Sequence, residues 1–434
     1  MHGSIRPLIA VMAIAFSASA LAAKPAKVPK SKKQQPAAVK PEVALSHPFG
    51  QAAEVELQKL VDRFNEKNPG TPIKLVRLEA GSKPTALNIL RRTQVAEDVA
   101  AKAGFKPLYA VMKEAGEKFD SSRLSADLRA GVTDEKGRFV GLPVAYSTPV
   151  LFYNKNAFRK AKLDPEKAPA TWQEMQDAAG KLRAAGYDCP YTTSWPTWVH
   201  IDNVSALSGA PVTNGKGELV FNGLVQVKHI AKLATWKQAG YFVPSGRKNE
   251  GDEKFRNGEC AMVTTDSSAH TDFRDAKGVE LGVAPLPNYD DIYGGRQHTL
   301  AEGPSLWFGA NRTAAEYKVA AKFVTFLLSP EMQVEFANIY GQLPLTEAAR
   351  VAMKSQALRD RGQTLEVAYA SMKGKGAVQP VRVSTLDPVR IILDEELEKV
   401  WSDGIPPKLA LDTAVTRGNA ILKAKPALRK PVPF

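Results

Sequence analysis

Three observations predict an α/β fold arranged as two lobes. Amphipathic helical stretches alternate with short apolar runs, the pattern of sheets covered on both faces. The chain has 434 residues, and once its ends are set aside about 390 remain, more than one hydrophobic core usually serves. No internal repeat is visible that would turn that length into a solenoid.

The elements follow in order. Val55, Leu57, Leu60, Val61 and Phe64 recur at helical spacing, and Asn68-Pro69-Gly70 closes that helix. A strand at 73–78, a helix at 108–115 and a strand at 139–144 come next. Ser147-Thr148-Pro149 then leads into Val150-Leu151-Phe152-Tyr153, an apolar, aromatic run suited to a buried strand and ended by the turn residues Asn154-Lys155-Asn156. Thr171 and Glu174 form a capping box, so a helix begins at Trp172. Trp172, Met175, Ala179 and Leu182 share its apolar face, and Gly186 stands where a helix end favours positive φ. Strands are expected at 260–264 and 281–284, and Glu302-Gly303-Pro304-Ser305 reads as a tight turn into Leu306-Trp307-Phe308. Helices dominate the remainder: 314–328, one capped by Ser329 with Pro330 at its first position, one from Thr346-Glu347, one from Asp387-Pro388 through Trp401, and a last one over about 409–422 after Pro406-Pro407.

Arg6, the apolar run 8–16 and the small residues ending in Ala20-Leu21-Ala22 have the form of a cleavable export signal, expected at 1–22. No other stretch approaches the length of apolar residues that spans a bilayer, and no Cys lies near the cleavage site to take a lipid. Residues 23–41 are rich in Lys, Pro, Ala and Gln and read as an extended tether. Positions 1–40 hold seven positive side chains and no acids, about half of the formal net charge of +14. The body is therefore only modestly basic and carries no nucleic-acid signature. Cys189 and Cys260 are the two cysteines, and sequence leaves open whether they pair or stay as buried thiols.

Catalytic and metal signatures are missing. There is no phosphate-binding Gly-Lys-Ser/Thr loop, no nucleophile elbow, no zinc-protease helix and no paired Cys-x-x-Cys. The histidines, at 2, 47, 200, 229, 270 and 298, follow no ligand spacing; His47 and His270 either line a cleft or are packed. No cofactor and no metal is expected.

Several collinear blocks carry a resemblance. Ser147 to Lys155, Gly186-Tyr187-Asp188-Cys189, Trp195-Pro196-Thr197-Trp198, Val227-Lys228-His229-Ile230-Ala231, Asn257 to Met262, Asp394-Glu395-Glu396-Leu397-Glu398 and Leu411 to Val415 are similar to the extracellular solute-binding proteins of ABC importers, and among them to members that bind phosphorylated polyols. The resemblance implies a type II periplasmic binding protein fold, two discontinuous α/β lobes joined by hinge strands. It divides the chain into 42–148 with 285–340, and 149–284 with 341–434, crossing near 148–152, 283–286 and 340–344.

It also implies a ligand site. The residues that surround a phosphate in such proteins fall on Ser147, on Asp266 or Ser267, on Gly303, on Gln342 and on Arg390. Hydroxyls, backbone N–H groups and a guanidinium suit a phosphate because they give several charge-assisted bonds to fixed oxygens. Arg390 stands on its own argument too: at about the third residue of a helix, a cation opposes the macrodipole unless an anion shares the place. A salt bridge to Asp394 or Asp387 explains it as well. Trp195 and Trp198 offer a stacking wall or ordinary loop packing, and Gly303 is alternatively a plain turn glycine.

The chain departs from the pattern where the polyol end should be read. Ser46-His47-Pro48 replaces a Trp-His-Ser strand, a tyrosine gives way to a residue near Lys83, and a stretch between Leu90 and Ala101 is missing, with Glu97 near the gap. The phosphate half of the site transfers better than the polyol half. The expectation is thus a monomeric periplasmic binding subunit that delivers an anionic polyol phosphate, such as glycerol 3-phosphate or a glycerophosphodiester, to an inner-membrane ABC permease. A neutral sugar, or a nontransporting envelope sensor, is the alternative.

Overall fold

The computed structural model describes residues 42–79, 82–91, 104–125, 128–129, 131–134, 136–291, 297–355, 359–374 and 386–424. The expected export signal, the tether and Glu97 lie outside the described residues.

Two mixed sheets organise the described residues. The first has six strands: β1 (Val43–His47), β2 (Ile73–Arg77), β3 (Leu87–Arg91), β4 (Phe105–Lys106), β5 (Leu142–Pro143) and, much later, β10 (Pro304–Gly309). Its order is β2-β1-β3-β10-β4, with β5 also on β10. β1 runs parallel to β2 and β3, and β10 is antiparallel to β3. The second sheet is β7-β8-β6-β9, formed by β6 (Pro149–Asn154), β7 (Cys189–Thr193), β8 (Cys260–Asp266) and β9 (Leu281–Pro285).

The period of two in β6 decides what covers the second sheet. Val150 and Phe152 join one core, with Phe255, Val263, Phe273 and the helix Arg359–Met372. Leu151 and Tyr153 join the other, with Trp172, Met262, Trp236 and the helix Leu386–Ser402. The first core continues into the first sheet through Val43, Leu45 and Leu306, so a single apolar phase runs behind both sheets on that side.

Local chemistry sets the helix ends. Thr171 and Glu174 make the expected capping box of Trp172–Ala184, Ser329 caps Pro330–Tyr340, and Leu108–Ala115 matches its expected bounds. Two expectations need correction. Of the strand at 139–144 only Leu142–Pro143 pairs with β10; Phe139 instead bridges Thr133. After β9 the chain stays with the second core, where Leu286 and Tyr289 are buried, and joins the first sheet only at Pro304, later than the crossing expected at 283–286.

The cysteines are paired. Cys189 and Cys260 face each other at the starts of parallel β7 and β8, with Cα atoms 4.6 Å apart. The bridge closes a 71-residue separation, for which chain entropy gives about 4 kcal/mol of stabilisation.

Candidate functional site

The site forms where the chain passes between the sheets. Ser147, between β5 and β6, exchanges both backbone hydrogen bonds with Glu302, just before β10: Ser147 N–H to Glu302 O is 3.1 Å and the reverse bond 3.0 Å. One residue on, Thr148 pairs with Ser267, whose N–H donates to Thr148 O at 2.9 Å and whose Oγ accepts the Thr148 N–H at 3.3 Å. A third segment enters at Gly341, in the left-handed region at φ 72°, and the next N–H but one, of Leu343, donates to Tyr146 O at 2.9 Å.

Glycine is required at 303 by close approach. A Cβ there would stand 1.8 Å from Ala145 O, so the backbone of the passage leading to β10 lies directly on that leading to β6. Gly303 is therefore more than a plain turn residue, since any side chain would part the two passages.

Arg390 reaches this junction through Glu302. The helix that bears it is described from Leu386, which puts Arg390 at the fifth described position and not the third. Its partners are neither Asp394 nor Asp387. Nη1 and Nη2 donate end-on to Glu302 Oε1 and Oε2 at 2.7 and 2.6 Å, while Nε and Nη2 donate to Asp202 Oδ2 at 3.2 and 2.6 Å. Asp202 is almost fully buried, with 3% of its side chain exposed; Glu302 keeps 25%. Burial pushes the Asp202 carboxyl up, and Arg390 offsets only part of that. Burial works against Glu302 too, but Arg390 and Arg91 prevail and hold it below the usual carboxylate range. For Arg390 burial is outweighed by the two carboxylates, and its pKa rises.

Asp202 comes from the π-helical turn Trp198–Asn203, an irregularity often found at functional sites. Asn203 of the same turn ties it to the passage leading to β10: its Oδ1 accepts the Leu300 N–H at 2.7 Å. Thr148 Oγ1 lies 2.7 Å from Thr299 Oγ1. Ahead of the turn Trp195 adopts φ 51°, an unusual conformation for a bulky side chain and a mark of imposed geometry. Arg91, at the end of β3 in the other sheet, lies over the Trp195 ring at 5.6 Å. Trp198 is buried, and among the described residues its Nε1 has no hydrogen-bond partner. Thr197 donates to Asp394, which burial nonetheless pushes up to about 6.

The structure thus brings together Ser147, Ser267, Gly303, Gln342 and Arg390, five of the residues the sequence points to. Gln342 is buried, and among the described residues its Oε1 has no hydrogen-bond partner, an acceptor that a bound hydroxyl could satisfy. Asp266, at the end of β8, is occupied otherwise: its Oδ1 accepts the Ser268 N–H at 2.8 Å and caps the short turn Ser267–Ala269. Lys83 is exposed in the loop before β3, and among the described residues no contact joins it to the others. His47 is fully buried at the end of β1, with Nε2 4.0 Å from Glu54 Oε1 and no hydrogen bond to either ring nitrogen among the described residues, and burial lowers its pKa. His270 is packed, with Nδ1 2.8 Å from Thr364 Oγ1. Asp202, Glu302 and Arg91 are the residues sequence reading missed. An acid within Val199-His200-Ile201-Asp202 was a usable signal, because a charge in an apolar run needs a partner.

Two α/β halves, crossed by the chain at one junction where the polar groups gather, define a type II periplasmic binding protein. The chain belongs to the bacterial extracellular solute-binding protein family, which residues 59–359 match. It is 38% identical over 413 residues to the sn-glycerol-3-phosphate-binding periplasmic protein UgpB of Pectobacterium atrosepticum, covering 88% of this chain and 92% of that protein. The protein of the same description from Escherichia coli K12 is 37% identical over 405 residues, with 87% and 92% covered. Among solved structures, UgpB of Mycobacterium tuberculosis in complex with glycerophosphocholine superposes with a TM-score of 0.72 at 19% identity, over 88% of this chain and 98% of that one. The cyclic α-maltosyl-1,6-maltose binding protein of Arthrobacter globiformis gives 0.71 at 19% identity, over 88% and 99%.

Proposed function

We propose that this protein is the periplasmic binding subunit of an ABC importer and captures a small phosphorylated polyol, sn-glycerol 3-phosphate or a glycerophosphodiester. The observation that carries the reading is that backbone bonds of Ser147 with Glu302, of Thr148 with Ser267 and of Leu343 with Tyr146 bring these segments to one junction between the sheets, which the Arg390 guanidinium reaches through Glu302. The curated relatives named for glycerol 3-phosphate support the same ligand. Trp195 and Trp198 then form a wall for the polyol.

The protein acts by capture and not by chemistry. Two lobes, one built on each sheet, close on the ligand, and contacts made only in the closed form shift the population toward the shape a permease recognises. It works as a monomer, after removal of residues 1–22. Calorimetry with glycerol 3-phosphate, glycerophosphocholine and maltose tests the reading: binding of either phosphate ester is expected, and binding of maltose alone overturns it. A neutral sugar is the second reading, favoured by one observation, that Arg390 is already held by two carboxylates.

A further inference from the structure

We infer that Glu302 is a specificity-determining residue, a resident anion on the guanidinium of Arg390 that a ligand must replace, and that it turns the cleft against doubly charged phosphate monoesters. The inference rests on the proposed function above.

Arginine has five N–H donors, and the two carboxylates take four bonds from Arg390. The division is unequal. Asp202 contributes one oxygen, to the Nε and Nη2 edge. Glu302 sets both oxygens against Nη1 and Nη2, the end-on fork that a phosphate also fits. Glu302 therefore spends the geometry that a phosphate ester needs.

Of the two acids Glu302 is the one that can leave. Asp202 sits on a turn whose residues 198–203 are all buried. Glu302 is a quarter exposed, and its backbone is held independently of its side chain by Ser147 and by the glycine beside it. Rotation of the side chain would free the fork without moving the passage. Arg91 lies near enough to act on the charge of Glu302 and is the second cation available to it.

Charge then decides between ligands. A displaced Glu302 remains in the cleft, tethered by its backbone, and Asp202 remains on Arg390. A monoester dianion adds two charges to this set, whereas a diester adds one and can carry a cationic group as well. Like charges brought together out of bulk water are costly, so the wild-type cleft favours a singly charged diester.

Calorimetry on wild type, Glu302→Gln and Glu302→Ala decides the matter, with glycerol 3-phosphate, glycerophosphocholine and maltose as probes and a thermal melt to verify folding. Both variants should bind glycerol 3-phosphate about tenfold or more tightly than wild type, the scale of removing a nearby like charge, with a smaller gain for glycerophosphocholine. Wild type alone should bind the diester more tightly than the monoester. Phosphate binding by wild type with no gain in either variant, or a wild-type preference for the monoester, overturns the inference and leaves the proposed function standing. If no protein binds either phosphate ester, the proposed function fails and the inference with it.

Discussion

One π-helical turn feeds two buried clusters of opposite character. From Trp198–Asn203, Asp202 joins the ionic group with Arg390 and Glu302, while His200 enters a neutral chain. There Tyr191 Oη is 2.7 Å from Thr264 Oγ1 and 3.1 Å from His200 Nε2; His200 Nδ1 is 2.9 Å from His229 Nε2, and His229 Nδ1 2.9 Å from Tyr289 Oη. Burial drives the His200 pKa down to about 3 and that of His229 well below its ordinary value. Both rings stay neutral, and Trp172 packs on them at ring separations of 5.8 and 4.6 Å. The same depth thus silences one titratable pair and leaves another, Arg390 with Glu302, shifted toward its charged form. What differs is the partner: a neutral hydrogen bond satisfies an imidazole without charge, whereas carboxylates beside a guanidinium gain by remaining charged.

Removing the cation should separate the clusters most. Arg390→Ala leaves Asp202 uncompensated, so a loss of about 3–5 kcal/mol is expected, read by denaturant unfolding, together with loss of phosphate-ester binding in calorimetry. Adding Asp202→Asn should return part of the stability and none of the binding. Stability unchanged in the single variant would mean that the ionic cluster is not buried as described.

The neutral chain should break more gently. His229→Leu strands His200 Nδ1 and the Tyr289 hydroxyl, and about 2 kcal/mol is expected for such losses. Ligand affinity should hold, because this chain touches the cleft only through the turn. A large fall in affinity at unchanged stability would join the two clusters functionally.

The smallest effect concerns pH. Asp252 accepts from Ser194 Oγ at 2.8 Å, and burial together with Asp266 pushes its carboxyl from 3.8 to about 7. A raised carboxylate pKa means that the folded state binds more protons between pH 4 and 7, so stability falls as pH rises through that window. Buried neutral histidines act with the opposite sign: their stabilisation is present above the unfolded pKa near 6.5 and is lost as pH falls toward 3. Asp252→Asn should raise the melting temperature at pH 7.5 by about 2 °C or more, a shift on the order of 1 kcal/mol, with the gain fading by pH 4. A gain independent of pH would assign the effect to packing.

Local features were the legible ones. The capping box at Thr171 and Glu174, the proline start at Pro330 and the buried run at 150–153 all depend on neighbours within a few residues, and each stands where the sequence put it. Gly303 was visible as a turn, but its contact with Ala145 was not. The fold class followed from alternation and length. Arg390 shows the limit: a misplaced cation at a helix start was readable, yet its partners lie 188 and 88 residues away, and no periodicity reaches so far. The strand expected at 139–144 shrank because apolar residues there, such as Phe139 and Val140, enter the core while bonding back to 132–133 and not to β10. The π-helical turn was hidden as a conformation, since nothing in the order Trp198-Val199-His200-Ile201-Asp202-Asn203 marks its wider repeat.

Gly303 and Glu302 divide one task between neighbours. The glycine fixes where the passage runs, through backbone contact alone, while Ser147 holds the backbone of its neighbour and leaves the side chain to Arg390. Position 302 can therefore change its side chain without a change of scaffold. A single codon there would retune which cargo the cell gathers, while every strand stays in place.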